Sequence, residues 1–179
     1  MAVVCAASLA ANVGLNAANN ALDLPFFFDS IGTAVTAAVA GLVPALVVAV
    51  ATNLAFEILE GMPLTHLPFA ICGVATALIV WWFVRTGRFA TLGEALVASL
   101  AVALANSVLG ALIATYRFGG LTAVGIDYLV TGLVAAGQSI LTATFWARVP
   151  ANLFDKTVAV LVAFVVAGRV NRDRVAGAE

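Results

Sequence analysis

Residues 23–53, DLPFFFDSIGTAVTAAVAGLVPALVVAVATN, decide how the chain is read. Within an otherwise apolar sequence they bring together acids, a proline and three consecutive aromatics, and then run apolar from Ile31 to Ala55, broken by Gly41 and Pro44. Asp23, Pro25 and Asp29 are poor lipid-facing residues, while Phe26, Phe27 and Phe28 are apolar and stiff. That combination predicts a loop folded back over the protein at a membrane surface. Pro44 lacks an N–H, clashes with the preceding turn and disfavours helix at Val43, so a turn near Gly41–Pro44 fits better than one helix of about 30 residues. The stretch therefore reads as a loop feeding a helical hairpin. The first arm runs from about Ser30 to Ala40 and carries Thr33 and Thr36; the second runs from about Ala45 to Glu60.

The rest of the sequence agrees with a membrane setting. Of its 179 residues 64% are hydrophobic and 9% charged, against about 45–50% and 25% in soluble domains. The expectation is one integral membrane domain over residues 1–179, all-α in class: a polytopic helical bundle, because the apolar stretches have helical length and lack the period of two that a β-barrel needs. A net charge of −1 with no large basic run argues against nucleic acid as a partner. Cys5 and Cys72 sit in apolar helical contexts and read as small hydrophobes. With one histidine and no His/Cys cluster, neither a disulfide nor a metal site is expected. No Lys or Arg precedes Arg85, so the N-terminal segment lacks the charged start of a signal peptide and reads as a first membrane helix.

That first helix, about Ala2 to Asn20, is two-sided. Ser8, Asn12, Asn16 and Asn20 form an i, i+4 row with Asn19 beside it, while Ala6, Ala10, Gly14, Ala17 and Ala21 fall on the other side. Amides in hydrocarbon need partners, so the Asn row should face the bundle interior or a wet cavity, and the small stripe can accept another helix, inside this bundle or outside it. On the second arm of the hairpin Asn53, Glu57 and Glu60 share a face near the helix end; Glu60 is close enough to the surface to be solvated, whereas Asn53 and Glu57 are candidates for binding. Gly61 to Phe69 reads as an external loop with a solvated His66. A helix from about Ala70 to Val84 ends in Trp81, Trp82 and Phe83 against Arg85 and Arg88, the pattern of an interfacial belt. The next, about Leu92 to Tyr116, lines up Ser99, Ala103, Asn106 and Gly110. Tyr128–Ala147 then reads as one helix with Asp127, Thr131, Gln138 and Thr142 along a face, ended by Arg148 and Pro150. A last helix, about Asn152 to Ala167, opens with Asp155 and Lys156.

LPFFFDSIGT, a short helix, a Gly/Pro turn and a second helix ending in TN resemble the substrate-binding S components of energy-coupling-factor (ECF) vitamin transporters. The resemblance extends to LPFA at Leu67–Ala70, to the basic turn Arg85–Arg88 and to FDKTVAVLVAFVV at Phe154–Val166. It implies six transmembrane helices with both termini inside, whereas the sequence offers seven apolar segments; six crossings follow if Tyr128–Ala147 is tilted, re-entrant or covering the bundle. It also implies that Ala2, Ala6 and Ala10, an AxxxA-type surface, dock a transmembrane coupling subunit, that two ATPases supply the energy, and that the chain sits in a bacterial plasma membrane.

No nucleotide cradle, GxSxG or HExxH motif is present and the acids form no paired catalytic set, so an enzyme is not expected, nor a cofactor. The inward amides and the aromatic, acidic loop suit a small amphipathic ligand in a mostly apolar pocket. Three polar segments should converge in the outer half of the bundle. The expected site is roofed by Phe26, Phe27, Phe28 and Asp29 and lined by Asn16, Asn53, Glu57, Asn106 and Gln138. The alternative function is a membrane sensor that binds a ligand without moving it.

Overall fold

The computed structural model describes residues 1–61, 64–122 and 125–176, and every regular element among them is helical. In chain order these are α1 (Ala2–Ala21), α2 (Ile31–Val39), α3 (Leu42–Glu60), a 3₁₀ turn at Leu67–Phe69 that runs into α4 (Ala70–Arg85), α5 (Leu92–Phe118), α6 (Asp127–Ala135) and α7 (Ile140–Ala176). Four stretches are long and apolar enough to cross a membrane: Ala2–Ala21, Leu42–Glu60, Leu67–Arg85 and Leu92–Phe118. α2, with 9 residues, rises only about 14 Å, roughly half of a ~30 Å hydrocarbon core.

The hairpin is present, and its turn falls at Ala40–Gly41. Gly41 has φ +94°, a conformation that costs glycine little. The Ala40 and Gly41 N–H groups both donate to the Thr36 carbonyl, at 2.8 and 3.2 Å, and close α2. α3 starts at Leu42 rather than Ala45, because Pro44 falls in its first turn, where a missing N–H forfeits no intrahelical bond.

The C-terminal part corrects the sequence reading. Tyr128–Ala147 is not one helix, and Arg148 and Pro150 do not end one. α6 stops after 9 residues at Ala135, and α7 runs unbroken for 37 residues through Pro150. The break lies at Gly137, φ +91°. There the N–H groups of Ala136, Gly137 and Gln138 close α6 onto the carbonyls of Gly132, Val134 and Leu133. The Ser139 hydroxyl accepts from Thr142 N–H at 3.2 Å, supporting the first turn of α7. Pro150 deprives α7 of one backbone bond, but α7 makes its most extensive packing with α5 and also lies against α2 and α6, and this packing carries the helix through.

Side-chain pairs fix the helix directions. Asn12 meets Thr33 and Ser8 meets Thr36, so α1 and α2 are antiparallel. Glu57 near the end of α3 accepts from Leu67 just before α4, while Ala49 lies against Gly73. Phe118 at the end of α5 stacks on Phe69, while Asn106 reaches Thr76, so α3 and α4, and α4 and α5, are antiparallel as well. Thr115, Ser107 and Ser99 on α5 pair with Thr144, Asn152 and Thr157 on α7. Hence α1 to α5 and α7 alternate in direction. The loop after α1, the α5–α6 connection and the α6–α7 turn gather at one end, while Met1 and the end of α7 lie at the other. The core is built mainly from small residues, among them Ala34, Ala45, Ala77, Ala98 and Ala163, with Val80, Val102 and Val160. Such side chains let helices approach closely. At Gly32 a Cβ would be driven into the Ser8 carbonyl, so only glycine lets α2 lie on α1 this way. A second cluster, Ile126, Val130, Ala143 and Ala147 with Phe26 and Phe27, holds α6 and the phenylalanine loop against α7.

Candidate functional site

Because α2 covers only half the depth of the other helices, the loop before it dips into the bundle, where its backbone polar groups must find partners in protein. The Asn row of α1 supplies them. Asn19 Nδ2 donates to the carbonyls of Leu24 and Phe26 at 3.3 and 2.9 Å, and Asn16 Nδ2 to that of Phe27 at 2.7 Å. Asn12 accepts from Gly32 N–H at 2.7 Å and donates to Thr33 and Thr52 at 3.1 and 3.0 Å, tying α1, α2 and α3 together. Asp23 and Phe28 take positive φ, 50° and 48°; these left-handed residues bend the loop at both ends.

From the other side α7 pins the loop with charge. Lys156 is 1% exposed and donates its N–H groups to Asp29 at 2.8 Å, to Ser30 at 2.9 Å and to Asp155 at 2.5 Å. Asp155 in turn accepts from Phe28 N–H at 3.1 Å. The ammonium lies 5.7 Å from the Phe27 ring centre. Every donor of the buried cation is matched, which a charge out of water requires.

Under this loop lies a cavity of about 90 Å³. Asn16, Phe26, Phe27, Asp29, Asn53 and Asn106, all expected from the sequence, line it. At Asn106 it lies 12 residues from the Phe118 end of α5, a depth of about 18 Å. Asn106 Nδ2 also donates to Thr76 and to the Val102 carbonyl, and Asn53 Nδ2 to the Ala49 carbonyl of its own helix.

Three expected residues stand elsewhere. Phe28 turns its ring toward Phe26 and Phe154, centroids 5.6 and 6.3 Å away. Glu57 Oε1 accepts from the N–H groups of His66 and Leu67, both at 2.6 Å, and so caps the 3₁₀ turn. Gln138 is exposed in the α6–α7 turn, because the helix face assigned to it ends at Gly137. His66, expected to be solvated, lines the cavity and bonds Glu60 at 2.7 Å. Ala2, Ala6 and Ala10 are exposed, so this stripe does not pack inside the bundle.

The sequence reading missed Arg148, Asn152, Lys156, Cys72 and Phe69, which also line the cavity. Their signal was there for the two cations: Arg148 and Lys156 interrupt apolar sequence, and assigning both to helix ends removed the need to ask what they face. Arg148 is 2% exposed; its Nη2 donates to Thr122 Oγ1 at 3.2 Å. Phe69 stacks on Phe118 at 5.8 Å and 9°. Among the described residues no group of three or more His, Cys, Asp or Glu side chains could hold a metal ion. No family model, curated protein or solved structure matches this chain.

Proposed function

We propose that the chain is the substrate-binding membrane subunit, or S component, of an ECF-type importer. It captures a vitamin-like small molecule from outside in the cavity under the phenylalanine loop. It then delivers the ligand together with a transmembrane coupling subunit and two ATPases. The observation that carries this reading is the loop itself: LPFFFDS is held inside the bundle by Asn16 and Asn19 on one side and by Lys156 on the other, and its Phe26, Phe27 and Asp29 form part of a polar and aromatic cavity. A pocket with an apolar wall and a few fixed polar groups is the usual form of a small-molecule site. The alternating directions of α1 to α5 and α7 favour six crossings of a bacterial plasma membrane with both termini inside, α6 covering the bundle without crossing. The exposed alanine face of α1 favours an external helix as its partner.

Purification of the tagged chain from its native membrane tests the proposal. The coupling subunit and both ATPases should co-purify, and denaturation should release a small molecule. Recovery of the ligand-loaded chain without ATPases, from cells that express them, would instead indicate a sensor.

A further inference from the structure

Of the two buried cations at the cavity, only one is fully matched. Lys156 spends its donors on Asp29, Asp155 and Ser30. Arg148 has Nη2 on Thr122 Oγ1, while its Nη1 is buried and has no hydrogen-bond partner among the described residues. The Asp127 carboxylate acts on the guanidinium charge, and it also accepts from Thr122 N–H at 2.7 Å and Thr122 Oγ1 at 3.3 Å. α5 makes room for the Arg148 stem: a Cβ at Gly110 would lie 3.3 Å from Arg148 Cδ and 3.4 Å from Nε. The arginine is thus fixed in position, lines the cavity and keeps one charged donor unmet, an arrangement that is costly unless an acceptor arrives.

We propose that Arg148 anchors a carboxylate of the ligand, so that the cavity prefers small apolar or aromatic monocarboxylic acids to their neutral amides. This rests on the cavity being the ligand site. A planar guanidinium is suited to a carboxylate, which accepts two parallel charge-assisted bonds. Phe26, Phe27 and Phe69 offer apolar surface for the body of such a molecule. A second acidic group is disfavoured, because Asp29 also faces the cavity and Lys156 has no donor to spare.

The test uses the full chain in detergent, stripped of bound molecules, and three matched probe pairs: nicotinate and nicotinamide, indole-3-acetate and indole-3-acetamide, 4-aminobenzoate and 4-aminobenzamide. Affinities are measured by calorimetry for the native chain, Arg148→Gln, Arg148→Lys and Gly110→Ala, with ligand-free melting as the check on folding. At least one acid should bind the native chain tenfold or more tighter than its amide. Arg148→Gln should erase that preference, Arg148→Lys keep part of it, and Gly110→Ala weaken the acid more than the amide. Should Arg148→Gln fail to fold, the other two variants decide. Equal affinity for acid and amide in the native chain, or an unchanged preference in the folded variants, overturns the assignment and leaves the cavity reading standing. So does amide binding without acid binding, or a neutral or cationic molecule released from the native chain. If no probe binds and nothing is released, the cavity reading fails and the Arg148 assignment with it.

Discussion

Lys156 sits among two carboxylates and a hydroxyl with 1% of its surface exposed, and the sign of its contribution follows from what each substitution leaves behind. Lys156→Met strands Asp155, which is 0% exposed, beside Asp29. Breaking a buried pair in this way costs about 3–5 kcal/mol. The variant should therefore melt well below the native chain in detergent, and Asp29→Asn, which keeps the Asp155 contact, should melt higher than Lys156→Met. Equal melting of the native chain and Lys156→Met would show that the cluster adds nothing. The cavity amides separate in the same way. Asn53 bonds only its own helix through Nδ2, whereas Asn106 joins α5 to α4. Asn53→Ala should weaken affinity for the co-purified ligand roughly tenfold with little change in melting, whereas Asn106→Ala should lower both, its stability by about 1–3 kcal/mol. Unaltered affinity in both would remove them from the site. The i, i+4 spacing was enough to place Ser8, Asn12 and Asn16 inward with Asn19 beside them, whereas Asn20, the last of the row, is exposed. The spacing could not reveal that Asn16 and Asn19 answer to carbonyls of their own downstream loop, since that depends on how far α2 lets the loop descend.

At the scale of the element, the interface of α1 with α2 and its outward face make opposite demands on side-chain size. Gly32 touches the Ser8 backbone, while Gly14 has nothing within 4 Å of where a Cβ would be. Gly32→Ala should cost about 1–3 kcal/mol or more by forcing the helices apart. Gly14→Ala should be neutral or stabilising by up to about 1 kcal/mol. Thermal melting of the pair checks both, and equal effects would contradict the close α1–α2 approach. If the exposed face docks the coupling subunit proposed above, Ala6→Leu combined with Ala10→Leu should abolish its co-purification while ligand affinity survives, because the added bulk blocks another backbone on one face only. A complex that forms normally would rule this face out as the docking surface. The hairpin of α2 and α3 was legible because Gly41 and Pro44 break an apolar run at one place. The α6–α7 boundary was misread because Pro150 is the stronger local signal and Gly137 the weaker. Packing on α5 decides that contest, and a local rule does not contain it.

For the whole molecule, the structure changes which charges bear on orientation. Arg148 and Lys156 are buried inside the bundle, so neither is a loop cation of the kind that the positive-inside rule weighs. Arg117 then stands at the loop end, near the close of α5, against Arg85, Arg88, Arg169, Arg172 and Arg174 in the α4–α5 turn and the last turns of α7. By the positive-inside rule the proposed arrangement has the arginine-rich end inside and the phenylalanine loop outside. Membrane character and a helical bundle could be read from composition alone, but this asymmetry could not, because the sequence does not say which cations are withdrawn from the surface. Single cysteines at positions 23, 87 and 173, in a chain lacking Cys5 and Cys72, test the arrangement in intact cells. An impermeant thiol reagent should label position 23, which is exposed on the loop, and should spare positions 87 and 173 until the membrane is opened. Because α5 and α7 are antiparallel and α6 returns to the end from which it starts, positions 87 and 173 must report the same side; opposite labelling would mean an odd number of crossings between them, and the six-helix arrangement would be wrong.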